Sequence, residues 1–337
     1  MQGLRMRWTA TFVAMTLSAI TIDAAYAADP VKIRLSYVVP ISNLASIVLE
    51  KKELAIHIGK TYQLDVTRFA GTPPIVTALA AGEIDIANLA YPTLPIAIQN
   101  AGMSDLRVIS DDFQDGNSGY YSNEFMVLAN GPIRNVEQLK GKVIATNAAG
   151  SGVDIAMRAM LRKSDLEDKR DYTVVEAPFP VMRAMLEEKK VDMVPAVLPF
   201  SHDPALRRIG RPLFTTKDAV GVSQFTMWVA RRDFIVQHRA ALVDFMEDTL
   251  RIVHWFLQPA NRSDAIKICS RIAKQSVERF SWVFTDHDYY RDPALLPDLA
   301  ALQRNVDLTR DLGFIKSSID VGQHSDLSVV REAAARL

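Results

Sequence analysis

Residues 71–92 occur again, in skeleton, as residues 178–199. Pro73 corresponds to Pro180, Leu79 to Leu186, Ile84 to Val191, Asp85 to Asp192 and Pro92 to Pro199, every pair 107 residues apart. Solenoid units recur every ~20 to 50 residues, so a period this long reads instead as two similar α/β lobes in one chain. Each copy has the same internal logic. A proline stands in the first turn of a helix, where no backbone donor is needed. An apolar periodic run follows, Gly82 or Lys189-Lys190 ends it, and a short strand begins at Ile84 or Val191.

The chain has room for two lobes, since its 337 residues exceed one domain of roughly 150. Apolar residues make up 49% and charged residues 23%, an ordinary globular balance. Lys plus Arg and Asp plus Glu both total 39, and basic residues gather only in pairs such as Arg207-Arg208 and Arg231-Arg232. A nucleic-acid partner, which needs a basic patch, is therefore not expected.

Arg5 and Arg7 precede an apolar stretch from Trp8 to Ile22, and Ala25-Tyr26-Ala27 stands before Ala28. That is the form of a secretory signal peptide, residues 1–27, with cleavage predicted after Ala27. The apolar run is shorter than the ~20 residues a bilayer span requires. Cys269 is the sole cysteine, so no intrachain disulfide can form and no cysteine waits at the cleavage site for a lipid. The predicted location is the periplasm, in soluble, unlipidated form.

Along the mature chain, Val31, Ile33 and Leu35 alternate with polar neighbours as in a strand. Ser42 or Asn43 then caps a predicted helix over residues 44–58. Strands are predicted over 64–69, 84–87, 106–109, 125–129, 143–145, 172–176 and 225–230. Helices are predicted over 75–81, 92–99 and 153–163, and again over 239–256, 263–272, 297–312 and 327–336. Strands alternating with helices imply parallel sheets with crossover helices. Two chain crossings, near 124–128 and 225–229, would enclose the second lobe. The predicted lobes are 28–125 with 228–337, and 126–227.

Three runs carry a family resemblance. Residues 69–86 read Phe-Ala-Gly-x-Pro-x-x-x-x-Ala-Leu-Ala-Ala-Gly-x-Ile-Asp-Ile; Ile133 leads through Leu139-Lys140-Gly141-Lys142 to Ile144, with Gly150-Ser151 soon after; and Ala184-Met185-Leu186 leads through Val191-Asp192 to Pro199. In order and spacing the chain resembles the solute-binding proteins of ABC importers, in the nitrate/sulfonate/taurine group. The resemblance implies an α/β, type II periplasmic-binding fold. Each lobe would be a mainly parallel sheet flanked by helices, two crossing strands would join the lobes, and they would close on ligand like a hinged clamp. The family pattern usually has glycine where this chain has Lys189, and often an aromatic residue near Pro195-Ala196-Val197-Leu198.

Ligands of open parallel sheets collect beyond the carboxyl ends of the strands. Helix N-termini there offer unpaired N–H groups and a positive dipole end to an anion. Three junctions fit: Ser42-Asn43, Gly71-Thr72-Pro73 and Gly150-Ser151-Gly152. Each also reads as an ordinary cap or turn. Thr72 and Ser151 are the first choices as hydroxyl donors. Tyr37, Tyr91, Tyr120, Tyr121 and Phe179 flank these loops and could line an apolar cleft or pack lobe surfaces. Asn88 is a candidate amide contact. Arg183 reads as a solvated position, and Asp85 and Asp192 as partners of local backbone.

The six histidines show no zinc-type spacing, so no metal is expected, nor any cofactor. Ala149-Gly150-Ser151-Gly152 is neither a nucleophile elbow nor a dinucleotide fingerprint, so a binder is predicted rather than an enzyme. The expected function is capture of a small organic anion, a sulfonate or carboxylate, aromatic ones included, by a monomer that passes it to a cognate ABC permease in the inner membrane. The alternatives are a periplasmic sensor for a membrane receptor, or an enzyme related to the folds of pyrimidine and menaquinone-precursor synthesis.

Overall fold

The computed structural model describes residues 29–117 and 119–337. The predicted signal peptide lies outside the described residues. Among those described, no helix is long and apolar enough to cross a membrane.

Among the described residues, ten strands form two five-stranded sheets. The first contains β1 (Val31–Tyr37), β2 (Tyr62–Arg68), β3 (Ile86–Ala90), β4 (Leu106–Asp115) and β10 (Ser223–Arg231) in the order β2-β1-β3-β10-β4. The second contains β5 (Glu124–Leu128), β6 (Lys142–Thr146), β7 (Tyr172–Glu176), β8 (Met193–Ala196) and β9 (Gly210–Thr215) in the order β7-β6-β8-β5-β9. Both sheets follow one plan, with three parallel strands, then one reversed strand, β10 or β5, and an edge strand, β4 or β9, antiparallel to it. The chain passes between them in residues 116–123 and returns through residues 216–222, which include the short helix Thr216–Val220.

The repeat occupies equivalent places in the two sheets. Helix α1 (Thr72–Ala80) links β2 to β3; α2 (Thr93–Asn100) follows β3; α3 (Gly152–Lys163) follows β6; and α4 (Phe179–Glu187) links β7 to β8. Pro73 and Pro180 are both second in their helices. Asp85 Oδ2 accepts from Arg34 N at 2.9 Å and Asp192 Oδ2 from Val143 N at 3.0 Å. Their own N–H groups return bonds to Arg34 O and Val143 O. Each aspartate thus fastens its strand's entry to the neighbouring parallel strand.

One expected element differs. In place of a helix over 44–58 the chain makes two 3₁₀ segments, Leu44–Ser46 and Val48–Leu54. Asn43 cannot cap because its side chain turns back: Oδ1 accepts from Val38 N and Val39 N, and Nδ2 donates to Asp112. Asp112 also takes the Leu44 N–H at 2.7 Å.

The return segment packs the first sheet from outside. Helix Arg239–Leu257 buries Leu242, Phe245, Met246, Leu250 and Val253. Phe245 stacks on the fully buried Trp228 of β10, with ring centres 5.5 Å apart. A fully buried large side chain of this kind stabilises by about 1.5–3 kcal/mol.

Candidate functional site

The carboxyl ends of β1, β3, β6 and β8 open into one cavity of about 50 Å³ between the two sheets. Val38, Val39, Ser42 and Asn43 follow β1; Ala90 ends β3; Asn147, Ser151, Gly152 and Val153 follow β6; Val197 and Leu198 follow β8. Thr72 and Phe179 open α1 and α4, while Phe113, Phe225, Thr226 and Tyr289 close the remaining sides. A cavity this size exceeds the ~10–15 Å³ one water needs.

Backbone donors from both sheets converge here. The first N–H groups of a helix have no intrahelical acceptor. At α3, Ser151 Oγ takes the Asp154 N–H, which leaves those of Gly152 and Val153 for the cavity. Prolines at its second and third positions leave α1 only the Thr72 N–H in its first turn, and α4 contributes that of Phe179. Two glycines permit the approach. A Cβ on Gly152 would lie 2.9 Å from the Phe225 ring, and one on Gly71 2.9 Å from Asn147 Nδ2.

Aromatic rings form one apolar side. Phe113 stacks between Tyr289, at 4.0 Å, and Phe225, at 5.5 Å. Tyr91 meets Phe225 edge-on. Four hydrogen bonds tie the sheets together around the cavity: Ser42 Oγ to Leu198 O (2.8 Å), Asn147 Nδ2 to Ala70 O (3.3 Å), Tyr91 Oη to Gly152 O (3.1 Å) and Leu198 N to Tyr289 Oη (3.0 Å). Burial pushes the Tyr91 and Tyr289 phenols well above their usual range, so both stay protonated donors.

Among the described residues lining the cavity, none is Asp, Glu, Lys, Arg or His. Buried charges stand behind the wall: Asp112, which receives Asn43 Nδ2 (2.6 Å), Asn88 Nδ2 (2.8 Å), Thr226 Oγ1 (2.8 Å) and the Leu44 N–H, and Arg291, which donates to Ser42 O at 2.8 Å and pairs with Asp288. Farther along β4, burial raises Asp111 to about 8 and Asp115 to about 7. An anion here would be met by backbone dipoles rather than by a counter-ion.

Of the residues expected from sequence, Ser42, Asn43, Thr72, Ser151 and Phe179 line the cavity together. Gly71 sits at its edge against Asn147 and Ala148. Asn88 and Tyr91 are completely buried behind it. Pro73 and Gly150 face a separate surface hollow beside Ile96. Tyr37 packs at the end of β1 into the core outside the first sheet, and Tyr120 is exposed, edge-on to Tyr290. Neither Tyr37 nor Tyr120 joins the cavity lining. The hydroxyl role also changes: Ser151 Oγ donates to Asn147 Oδ1 at 2.8 Å, and Thr72 Oγ1 pairs with Thr93 Oγ1 at 2.7 Å. Backbone N–H groups therefore take over as the open donors. Arg183 ion-pairs with Glu187 and Asp203 on the outer face of α4.

Asn147, Phe113, Phe225, Thr226 and Tyr289 were not anticipated. Asn147 and the Val197-Leu198 pair stood beside flagged motifs, whereas Tyr289 comes from irregular chain with no pattern of its own. Among the described residues, one group could offer metal ligands, His57, Asp244 and Glu247. It lies at the helix Arg239–Leu257 and is met by Arg336, 2.8 Å from Asp244 and 3.6 Å from Glu247.

The sequence model of the NMT1-like family matches residues 26–270. Among curated proteins none matches. The fold is similar to that of the alkanesulfonate-binding protein SsuA from Xanthomonas axonopodis pv. citri bound to MOPS. The TM-score is 0.71 and the identity 18%, covering 89% of this chain and 99% of that one. It is also similar to the periplasmic nitrate-binding protein NrtA from Synechocystis PCC 6803, with a TM-score of 0.70, 16% identity, and 91% and 89% of the chains covered. The desulfurization enzyme DSZB shares the fold at a TM-score of 0.64 and 13% identity, with 91% and 99% covered.

Proposed function

The chain belongs to the NMT1-like family, and from that premise we propose that it is the solute-binding component of an ABC importer. It captures a small organic anion, a sulfonate or carboxylate, between its lobes in the periplasm and delivers it to an inner-membrane permease. We take each lobe as one sheet with its helices, divided within residues 116–123 and 216–222 and so a few residues before the bounds 125/126 and 227/228 expected from sequence. One observation carries this reading: helix N-termini from both sheets, those of α1 and of α3 and α4, open on one cavity between them. A solute whose acid accepts from the Gly152 and Val153 N–H groups while its body meets Phe113 and Phe225 touches both lobes at once. It therefore binds the closed form more tightly than the open one, and that difference in affinity drives closure.

Binding is favoured over catalysis by the lining. Ser42, Thr72 and Ser151 hydroxyls bond to Leu198 O, Thr93 and Asn147, with no histidine or carboxylate to remove their protons, and the Asp112 carboxylate that takes the Thr226 proton is already held by Asn43, Asn88 and the Leu44 N–H. The Cys269 thiol is buried, and burial pushes it up to about 12, far from a nucleophilic thiolate.

A thermal-shift screen over aliphatic and aromatic sulfonates, carboxylates and nitrate tests the proposal. A ligand at a hundred times its Kd stabilises by about 2.7 kcal/mol, so at least one acid is expected to raise Tm by several degrees. No shift with any acid, together with turnover of one of them, would overturn the binder reading.

A further inference from the structure

The acid end of such a solute accounts for one side of the cavity only. On the wall supplied by the first sheet and its loops stand two hydroxyls, Thr226 and Ser42, 5% and 1% exposed. Both have already given their protons away. Thr226 Oγ1 donates to Asp112 Oδ2 at 2.8 Å, and Ser42 Oγ donates to Leu198 O at 2.8 Å. Neither arrangement reverses easily. A backbone carbonyl has no proton to return, and the Asp112 carboxylate is already held by Asn43, Asn88 and the Leu44 N–H. A hydroxyl whose proton is committed still has lone pairs and can only accept.

Building on the reading above, we propose that the solute carries, besides its acid, a hydrogen-bond donor in the form of a hydroxyl or amino group, and that Thr226 and Ser42 accept from it. A plain acid would cover these two oxygens with apolar chain and leave their remaining lone pairs unused. A donor-bearing acid matches both sides of the cavity, with backbone N–H groups at the α3 end and committed hydroxyls at the other. Asp112 acts as the positioning residue, because its carboxylate fixes Thr226 as an acceptor.

The test uses the full mature protein and two matched pairs, propanesulfonate with 3-hydroxypropanesulfonate and propanoate with 3-hydroxypropanoate, measured by titration calorimetry. The hydroxylated member of at least one pair is expected to bind about tenfold more tightly, as sites built to pair a substrate OH discriminate against analogues lacking it. Thr226→Val should bring the pair to near parity, while Thr226→Ser, which keeps the oxygen, should retain the preference and controls for folding. Equal binding of both members by the wild type overturns this inference and leaves the proposed function standing. A preference that survives both Thr226→Val and Ser42→Ala overturns the assignment to these residues. Absence of binding by all four acids overturns the inference, while the function it builds on is decided separately by the thermal-shift screen.

Discussion

Lys189 and Gly82 occupy one position in two copies of the same motif, and their backbones agree where their side chains do not. Gly82 has φ 71° and Lys189 has φ 57°, each just past the end of its helix. Gly82 N bonds to Leu79 O and Lys189 N to Leu186 O, while the next N–H bonds to Ala78 O in one copy and Met185 O in the other. The left-handed conformation is free for glycine and costs a lysine about 1–2 kcal/mol. Lys189→Gly is therefore expected to stabilise the protein, by about 0.5–1 kcal/mol once the greater freedom of glycine in the unfolded chain is counted. A urea midpoint unchanged or lowered would contradict this. The residue was visible in the sequence as a departure from pattern, but the pattern could not say that the turn itself had been kept.

Strand β4 carries three completely buried carboxylates, Asp111, Asp112 and Asp115. Burial raises Asp111 to about 8 and Asp115 to about 7, against about 3.9 in an unfolded chain. Between about pH 4 and pH 8 the unfolded state has lost protons that the folded strand keeps, so stability falls as pH rises through that window, by at most about 1.4 kcal/mol per group per pH unit. Denaturant midpoints measured from pH 5 to pH 8 should decline, and Asp111→Asn should flatten the decline. A midpoint rising with pH would refute it. None of this was legible beforehand, since Ser-Asp-Asp-Phe-Gln-Asp after Ile109 looks like the polar end of an exposed strand. It is buried because β10 and the Tyr289–Asp292 stretch cover it, contacts made from more than a hundred residues away. The alternating and periodic elements were legible because each carries its own apolar face: α1, α3, α4 and Arg239–Leu257 lie within a few residues of expectation. The helix expected over 44–58 failed for a tertiary reason, the capture of Asn43 and the Leu44 N–H by Asp112 on β4. Candidate-site residues followed the same division. Of those next to strand–helix junctions, Ser42, Asn43, Thr72, Ser151 and Phe179 line the cavity and Pro73 and Gly150 do not, while Phe113, Thr226 and Tyr289, which arrive through β4, β10 and irregular chain, carried no such signal.

The two sheets meet around the cavity, and Gly152 is one of two glycines where the chain around one approaches the other closely. Gly152→Ala would drive a methyl against the Phe225 ring at 2.9 Å, and overpacking of this kind costs about 1–3 kcal/mol. The cost falls on the closed arrangement alone, because Phe225 stands on β10 of the first sheet and Gly152 opens α3, which follows β6 of the second. The variant should fold normally, bind its solute about tenfold or more weakly, and show a larger radius of gyration in solution scattering at ligand concentrations that compact the wild type. Wild-type affinity in this variant would rule out closure at that point as part of binding. Cys269 lends itself to the same measurement. Its thiol is fully buried with its proton held to about 12, so maleimide dyes at neutral pH pass it by. Val181, two residues beyond Phe179 and 45% exposed, can then be made the single labelling point as Val181→Cys. A dye there sits on α4, whose first residue lines the cavity, and its brightness would report each closing event, turning the protein into an optical probe with which to search for its own solute.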